Sequence, residues 1–221
     1  MARRLPTDGV LVVGLGRFGG AIADTLVGLG HEVLAVDTDP KIVQGWSGRL
    51  THVVEADATS PEAMRQLGAH EFDRAVVGIG NDIESSILTV AVLVDLGIRQ
   101  IWAKAISRAH GRILGRVGAH HVVHPEREMG ERVAHMVTGR MVDYIEFDDG
   151  FALVETRPPA ELVGRTLGEA GVRRRYGVTV VCVKRRGEDF THATQDTLVG
   201  ADDLLIVAGK TQLAEAFVAL P

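Results

Sequence analysis

The sequence predicts an α/β protein in which a doubly wound parallel sheet is followed by a smaller α+β C-terminal lobe. Three observations support this prediction. Short runs rich in Val and Ile alternate with helical stretches through the first part of the chain. A glycine-rich turn separates the first of these runs from the first helix. Beyond residue 140 the alternation stops and hairpin-forming segments follow, so the 221 residues divide into two domains.

Six strand candidates build the first domain. They are residues 10–13, 32–36, 52–55, 74–79, 100–104 and 121–123. Helices fill the gaps between them, and three of these helices have recognisable starts. Asp39 and Ser60 each precede a proline, and Asn81 opens a segment that resembles a capping box. Parallel strands joined by crossover helices place helices on both faces of the sheet.

The helix predicted over residues 82–96 has almost no polar face. A helix that covers a sheet usually keeps one solvated stripe. We therefore expect this helix to pack on its own sheet and also on another subunit, the alternative being a cover supplied by its own chain. The next helix begins after Pro125-Glu126 and is predicted to extend to about Met141.

The residues beyond the sheet domain predict a mixed α+β lobe. Segments 144–147 and 151–155 flank Asp148-Asp149-Gly150, which favours a hairpin turn. Further strands are expected at 178–184 and 204–208, with short helices at 166–170 and 212–219. We therefore assign residues 1–8 to an N-terminal tail, 9–140 to the sheet domain with its following helix, and 141–221 to the C-terminal lobe.

The turn after the first strand has the spacing of a nucleotide-binding motif, Gly14-x-Gly16-x-x-Gly19. Gly14 allows a sharp turn, Gly16 lets backbone N–H groups approach a phosphate, and Gly19 lets the helix pack closely on the strand. The N-terminus of that helix supplies free N–H groups and partial positive charge. Asp37 ends the second strand, where it can accept hydrogen bonds from ribose hydroxyls and disfavours a 2′-phosphate. The pattern indicates a Rossmann-like nucleotide site.

Further candidate contacts lie where the other strands end on the same side of the sheet. Arg17, directly after the second motif glycine, and Lys104, at the end of the fifth strand, are cations suited to phosphate groups. Short segments after the third and fourth strands complete this edge. The candidate nucleotide-binding residues predicted there are Gly14, Gly16, Arg17, Phe18, Gly19, Asp37, Thr38, Asp57, Ala58, Thr59, Gly78, Ile79, Gly80 and Lys104.

Composition and charge argue against several other classes of protein. The net charge of −5 and the pI near 6.0 give no global signal for nucleic acid or an acidic membrane surface. The longest apolar stretch, residues 87–96, is too short to span a bilayer, and no N-terminal run resembles a signal peptide. The single cysteine, Cys182, excludes an internal disulfide. We expect a cytoplasmic protein.

The sequence carries none of the usual catalytic patterns. The motifs G-x-S-x-G, H-E-x-x-H and the P-loop are all missing from the sequence, so we predict a binding protein rather than an enzyme. His120, His121 and His124 do not predict a metal site within the chain. On a strand, His120 and His124 lie ~13 Å apart and His121 points to the other face.

Three segments together resemble the RCK proteins of the KtrA/TrkA type, which regulate potassium transport. They are Val13-Gly14-Leu15-Gly16-Arg17-Phe18-Gly19, Ile101-Trp102-Ala103-Lys104 and His124-Pro125-Glu126-Arg127-Glu128-Met129-Gly130. Two later segments, 163–169 and 172–178, resemble the C-terminal lobe of that family. The resemblance covers the chain from residue 9 to residue 219.

The resemblance implies a cytosolic regulatory subunit that forms dimers and a ring, usually an octamer, beneath a membrane-embedded potassium channel or transporter. It implies no binding to nucleic acid and no insertion into the membrane. ATP or ADP bound in the first domain sets the shape of the ring, and that shape sets pore opening. By position, Gly16 and Gly19 cradle phosphates, Asp37 holds the ribose, Arg17 reaches a terminal phosphate and Lys104 pairs with the β-phosphate.

Two further sites follow from the same resemblance. Glu126 lies near the phosphates at the dimer interface, where the family can place a divalent or monovalent cation. Arg173 matches an arginine of a cyclic di-AMP site in the C-terminal lobe, although Leu167-Gly168 replaces the bulky, branched pair that the family has there. The residues themselves leave an NAD-dependent oxidoreductase, an NAD(H)-sensing regulator and a structural scaffold open as alternatives, because Asp37 suits the ribose of ATP, ADP, NAD or NADH.

Overall fold

The computed structural model describes residues 9–137, 141–147 and 150–221, and the predicted N-terminal tail lies outside these ranges. The chain divides into two compact units, one extending to Glu126 and the other spanning Arg127–Pro221. The elements of the first unit and its following helix are β1 (Val10–Val13), α1 (Arg17–Gly28), β2 (Val33–Asp37), α2 (Pro40–Trp46), β3 (His52–Glu55), α3 (Pro61–Gln66), β4 (Arg74–Val77), α4 (Ile83–Asp95), β5 (Gln100–Lys104), α5 (Arg108–Val117), β6 (His121–Val123) and α6 (Pro125–Val137).

The first unit contains a parallel six-stranded sheet in the order β3-β2-β1-β4-β5-β6. The chain order reverses beside β1, which pairs with both β2 and β4. Alternate β1 side chains enter different cores, since Leu11 packs in one cluster with Leu93 of α4, whereas Val12 packs in another with Ala23 of α1. Both faces of the sheet are therefore covered by helices, which confirms the predicted Rossmann-like fold.

The helix starts follow the predicted caps with one correction. Asp39 and Ser60 cap α2 and α3, accepting hydrogen bonds from the backbone N–H groups of Lys41 and Ala63, respectively. The prediction that Asn81 caps α4 is wrong. Asp82 caps it instead, because its extended backbone lets the carboxylate accept the N–H of Ser85 at 3.0 Å.

Several element boundaries also differ from the prediction, among them the end of β4 and the end of the helix before β7. Strand β4 ends at Val77 rather than residue 79, because its neighbour β1 ends at Val13 and the chain turns there at Gly14; the N–H of Gly78 makes the last bond to β1, at 2.7 Å from the carbonyl oxygen of Val13. Met141, predicted as the end of a helix, instead begins a strand and pairs with Thr156. Its side chain is buried in an apolar cluster of the second unit, which favours the extended conformation there.

Helix α4 buries two polar side chains and exposes two large apolar ones, which its apolar composition does not predict. Ser86 and Thr89 are fully buried, and within the described part of the chain their hydroxyl groups have no hydrogen-bond partner. Two large apolar residues, Ile83 and Leu88, are instead 42% and 45% exposed. The helix therefore presents apolar side chains away from its own core, as required for a contact with another subunit.

The second unit contains an antiparallel five-stranded sheet in the order β10-β9-β11-β8-β7. Its elements are β7 (Met141–Phe147), β8 (Phe151–Thr156), α7 (Leu167–Ala170), α8 (Val172–Tyr176), β9 (Thr179–Lys184), β10 (Phe190–His192), β11 (Leu204–Lys210) and α9 (Thr211–Val218). Strands β7 and β8 pair as the predicted hairpin, although turn residues 148 and 149 lie outside the described residues. Helix α8 and strand β10 were not predicted from the sequence.

From Arg127 onward, helix α6 belongs to the second unit and contacts strand β7 of that unit. Its Arg132 forms two hydrogen bonds with Asp143 of β7, at 2.7 and 2.6 Å. The ring of His135 stacks on Tyr144 with centroids 4.3 Å apart. Compactness therefore divides the chain between residues 126 and 127. The domain boundary near residue 140, which assigns α6 to the first domain, stays a prediction. Among the described residues, no helix has the length and apolar character needed to cross a bilayer.

Candidate functional site

The glycine turn after β1 is held by backbone packing that excludes side chains. Gly14 has a φ of 84° and donates its N–H to the carbonyl of Val36 at 2.8 Å. A Cβ on Gly19 would lie 1.9 Å from the carbonyl oxygen of Gly14, and one on Gly78 would lie 2.9 Å from the same oxygen. These three glycines are therefore required for the close approach of β1, α1 and β4.

Gly16 differs from the other motif glycines, because a Cβ added there would meet nothing within 4 Å. The protein does not need glycine for packing at this position, so the space beside Gly16 is free for a ligand. Gly16 is also the N-cap of α1, with no side-chain hydrogen bond to the helix and no acidic residue in the first turn. The first N–H groups of a 12-residue helix thus face this space without a carboxylate competing for them.

Asp37 is tied to this turn by backbone hydrogen bonds. Its Oδ2 accepts from the N–H of Leu15 at 2.6 Å, and its Oδ1 accepts from the N–H of Asp39 at 2.9 Å. A carboxylate oxygen has two acceptor positions, so both oxygens keep capacity for ribose hydroxyls. The sequence indicated the ribose role but not the bond to Leu15, which couples the acid to the phosphate-binding turn. Thr38 follows at the exposed end of β2.

Lys104 at the end of β5 is enclosed by three other candidate residues. Its side chain is only 13% exposed, and its Nζ lies 2.6 Å from Oε1 of Glu126. The Nζ lies 5.7 Å from the ring centroid of Phe18, and a Cβ on Gly80 would come within 3.1 Å of it. The ammonium group is thus positioned beside the first turn of α1 and stabilised by a carboxylate from the start of α6.

The pKa of Glu126 is lowered by its surroundings. The hydrogen bond from Lys104 is the largest cause, followed by a hydrogen bond that the carboxylate accepts from its own backbone N–H. The charges of Lys104 and Arg17 also favour the carboxylate form. Arg17 itself is exposed at the first position of α1. Two cations, Lys104 and Arg17, therefore act on one carboxylate at this end of the sheet, beside the first turn of α1.

The remaining candidates lie along the same carboxyl-terminal edge of the sheet. Asp57 accepts hydrogen bonds from both the N–H and the hydroxyl of Thr59, at 2.9 and 2.7 Å, so the segment after β3 forms a tight turn around buried Ala58. Ile79 lies 3.1 Å from the position of a Cβ on Gly14. The structure thus brings the segments after β1, β3 and β4 to one edge, as expected for a ligand site in an α/β sheet.

The three histidines near β6 enter different environments. Nδ1 of His120 accepts a hydrogen bond from the N–H of Ile101 at 3.2 Å. His121 stacks on Trp102 with centroids 4.5 Å apart, whereas the ring of His124 lies against Gly111. The described residues contain no group of three or more side chains able to hold a metal ion.

Arg173 lies in the second unit and lines an open cavity of about 480 Å³ together with Gly168, Arg174 and Gln195, among other residues. It belongs to α8, a five-residue helix. A Cβ on Gly168 would lie 3.0 Å from the carbonyl oxygen of Gln195, so a side chain there would press on the cavity wall. The structure thus contains a cavity beside Arg173. Leu167-Gly168 lines it with smaller side chains than the bulky, branched pair that the family resemblance implies.

Comparison with known proteins identifies the family. The TrkA-N domain matches residues 10–125 and the TrkA-C domain matches residues 151–220. The chain belongs to the RCK proteins of the TrkA/Ktr type. Ktr system potassium uptake protein C of Bacillus subtilis is 38% identical over 200 residues, which cover 90% of each chain. Ktr system potassium uptake protein A of the same organism is 34% identical over 215 residues, covering 97% of each chain.

A solved structure has the same fold as this TrkA/Ktr-type chain. The GsuK channel bound to NAD aligns with a TM-score of 0.68 and 21% identity, covering 98% of this chain. This chain spans 41% of the length of that channel chain. A structure of GsuK bound to ADP aligns over 58% of this chain with a TM-score of 0.52. At these identities the likeness establishes the fold alone, and it confirms the Rossmann-like first unit with a smaller second lobe.

Proposed function

We propose that this chain is a nucleotide-sensing regulatory subunit that gates a membrane-embedded potassium channel or transporter. The observation that carries the nucleotide part is the uncapped start of α1 at Gly16, which faces free space next to Lys104. The potassium part rests on relatives named Ktr system potassium uptake proteins, which match 90% or more of the chain. The chain acts at the cytoplasmic face of the membrane through its partner, and it is not an enzyme.

The candidate residues divide the nucleotide among them by chemistry. The N–H groups that follow Gly16 hold the phosphates, and Lys104 and Arg17 balance the phosphate charge. Asp37 accepts hydrogen bonds from the ribose hydroxyls. The turns at 57–59 and 78–80 border the remainder of the nucleotide, where Gly78 and Gly80 allow the ligand to approach the backbone.

The proposed switch is a competition for Lys104. In the described structure its ammonium group is paired with Glu126, the second residue of α6. A phosphate group that binds Lys104 weakens its hold on Glu126, and a nucleotide with more phosphate charge does so more strongly. ATP and ADP therefore differ in their affinity for states that place the start of α6 differently, which is the condition for shifting a conformational equilibrium.

Assembly extends this switch beyond one chain. We propose that the chain forms dimers and then a ring, an octamer by the family resemblance, with the exposed apolar face of α4 at one subunit contact. Arg17 reaches a terminal phosphate, across the dimer or within its own chain. Glu126, released from Lys104, supplies a carboxylate for a divalent or monovalent cation at the dimer interface. The arrangement of the ring sets the opening of the membrane partner.

The nucleotide could instead be NAD or NADH, as in the structure of GsuK bound to NAD. In that case the chain is an NAD(H)-sensing regulator or, with a substrate, an oxidoreductase. We favour ATP and ADP because Arg17 and Lys104 provide two cations for a compact polyphosphate. Cyclic di-AMP is a second proposed ligand, at the cavity that contains Arg173.

The test is calorimetric titration of the full chain with ATP, ADP, NAD, NADH and cyclic di-AMP, with and without magnesium. We expect ATP and ADP to bind, and small-angle scattering to differ between the two complexes. Binding of NAD(H) alone would remove the ATP/ADP assignment, and hydride transfer to a substrate would remove the regulator. If no nucleotide binds, the chain is a structural scaffold. Potassium uptake by cells that lack the subunit, compared with complemented cells, tests the transport role.

A further inference from the structure

The three atoms nearest to a Cβ built on Gly80 all belong to the side chain of Lys104. Such a Cβ would lie 3.1 Å from Nζ, 3.2 Å from Cε and 3.5 Å from Cδ. Strands β4 and β5 are parallel, with Val77 paired to Ala103, so the end of β5 lies beside the segment that follows β4. The lysine side chain therefore passes close over the backbone of Gly80, and the missing side chain at position 80 leaves room for it.

The backbone conformation does not require glycine at position 80. The φ of Gly80 lies outside the left-handed region, unlike that of Gly14. A Cβ on Gly78 would meet backbone atoms of Gly14 and Gly19, whereas one on Gly80 would meet the far end of a flexible side chain. An alanine at position 80 should therefore displace the Lys104 side chain and leave the fold intact.

The ring of Phe18 confines the same ammonium group. Nζ lies 5.7 Å from the ring centroid, within the ~6 Å range of a cation–π interaction. Phe18 is half-buried and packs against the apolar core between α1 and the sheet, so its ring is held in place. Only 13% of the Lys104 side chain is exposed. Gly80 and Phe18 thus form a lysine slot, in which the outer part of the Lys104 side chain has a fixed path.

The lysine slot leaves hydrogen-bond donors available for a ligand. An ammonium group has three N–H donors, and one of them bonds to Oε1 of Glu126 at 2.6 Å. Within the part of the chain that the structure describes, Nζ makes no other hydrogen bond. Phe18 is the second residue of α1, so the slot lies beside the first turn of that helix. The unused donors and the first N–H groups of α1 can therefore serve one anionic group together.

We propose that the lysine slot makes Lys104 selective for a phosphate at one position along the bound nucleotide. A free lysine has a flexible four-carbon stem, so it can follow phosphates at different distances but loses side-chain entropy on binding. A confined stem presents its ammonium group at one place and is already ordered in the free protein. The slot therefore favours ATP and ADP, which have a β-phosphate, over AMP, which ends one phosphate earlier. This inference rests on the proposed nucleotide function and assigns Gly80 and Phe18 as positioning residues.

The test is calorimetric titration of ATP, ADP and AMP into the full chain. We expect the wild type to bind ADP more tightly than AMP. Gly80→Ala should weaken ADP binding about five-fold, the typical effect of one side chain that must be ordered on binding, and should leave AMP binding close to that of the wild type. Phe18→Leu removes the ring face but keeps an apolar side chain, and it should act in the same direction. Phe18→Tyr retains the ring and should bind as the wild type does.

A second substitution at Lys104 separates the slot from a direct contact between Gly80 and the nucleotide. If Gly80 acts through Lys104, Gly80→Ala should have no further effect on ADP affinity in a Lys104→Met protein. Gly45→Ala, in α2, is the matched control, because a Cβ there meets nothing within 4 Å. It should bind all three nucleotides as the wild type does, and circular dichroism checks that each variant is folded.

Three outcomes overturn this inference alone. They are an unchanged ratio of ADP to AMP affinity in Gly80→Ala, an equal loss of affinity for both nucleotides, and an effect of Gly80→Ala that persists in the Lys104→Met protein. A wild type that binds none of the three nucleotides overturns the proposed nucleotide function, and this inference with it. The lysine slot is supported only if the ratio falls and the fall depends on Lys104.

Discussion

Lys104, at the end of β5, and Glu126, in the first turn of α6, are joined by an ion pair of 2.6 Å between Nζ and Oε1. The two residues are 22 positions apart, and the fold brings them together next to the glycine turn. Glu126 ends the first compact unit, and the rest of α6 belongs to the second. The ion pair therefore links the candidate phosphate site to the helix that leaves it.

Removing Lys104 and removing Glu126 should change nucleotide affinity in opposite directions. Lys104→Met should weaken ATP and ADP binding by about 10-fold or more, because a charge-assisted hydrogen bond to phosphate contributes roughly 1.5–3 kcal/mol. Glu126→Gln should strengthen binding when divalent cations are absent, because the ammonium group loses its competing carboxylate. Calorimetric titration in a chelator measures both effects.

The matched control for the Glu126 variant is Glu131→Gln. It removes the same charge from the same helix. Glu131 pairs with Arg127, with 3.2 Å between Oε1 and Nε, and not with Lys104. We expect its nucleotide affinity to stay close to that of the wild type. Equal strengthening in both variants would mean that net charge, and not the Lys104 pairing, controls affinity.

Two glycines of the motif should respond to substitution in different ways. Gly16→Val should leave the thermal midpoint almost unchanged and abolish nucleotide binding, because its side chain enters the free space that a phosphate needs. Gly19→Ala should destabilise the fold itself, by about 2 kcal/mol or more, because its Cβ would overlap the carbonyl oxygen of Gly14. Differential scanning fluorimetry with and without ATP distinguishes the two effects. A Gly16→Val protein that still binds ATP would contradict the proposed site.

A suitable control for Gly16→Val is Gly28→Val. Gly28 is at the other end of α1, and a Cβ there also meets nothing within 4 Å. This variant should retain both the fold and nucleotide binding.

The glycine turn could be predicted from sequence because its requirements are local. Gly14 needs a positive φ and Gly19 needs a close contact within seven residues, so spacing alone reveals them. The role of Gly78 is different. It was predicted to admit a ligand, and the structure shows a packing requirement, because a Cβ on Gly78 would lie 3.1 Å from the Cα of Gly19 in α1. That contact depends on the register of β4 beside β1, which no local pattern encodes.

Helix α8 and strand β10 were missed because neither carries a periodic signal. Helix α8 has only five residues, with three consecutive arginines and a left-handed glycine at each end. All three residues of β10 are exposed, and the strand is defined by pairing with β9 at the sheet edge. Tertiary contacts nevertheless make the basic run around Arg174 a helix that lines a cavity.

Burial lowers the pKa of His110, and the charge of His124 lowers it further. His110 is 2% exposed, and its Nε2 has no partner within the described residues. Because the folded state disfavours the imidazolium, the unfolded state binds more protons below pH 6.5, the ordinary pKa of histidine. His110 should therefore contribute stability above pH 6.5 that is lost as the pH falls from 6.5 towards its lowered pKa.

The consequence is a pH dependence that a single substitution should reduce. In the wild type, the urea midpoint should fall between about pH 7 and pH 5. His110→Leu should make that fall smaller, whether the substitution raises or lowers the stability at neutral pH. His192→Gln, which changes an exposed histidine on β10, should leave the slope as in the wild type. Urea denaturation at a series of pH values measures the slopes. Identical slopes for the wild type and the His110 variant would show that this imidazole does not resist protonation.

The exposed apolar face of α4 should support assembly. Leu88 is 45% exposed on a helix whose buried face contains Ser86 and Thr89, so a carboxylate at position 88 would not disturb the core of the subunit. Leu88→Glu should therefore retain the thermal midpoint of the isolated subunit but reduce the mass measured by light scattering at micromolar concentration, because burying an unpaired charge in an interface is costly. Leu29→Glu, at the exposed C-cap of α1, provides the control and should assemble normally. A wild type that is monomeric under these conditions would contradict the contact, as would a Leu88→Glu variant of unchanged mass.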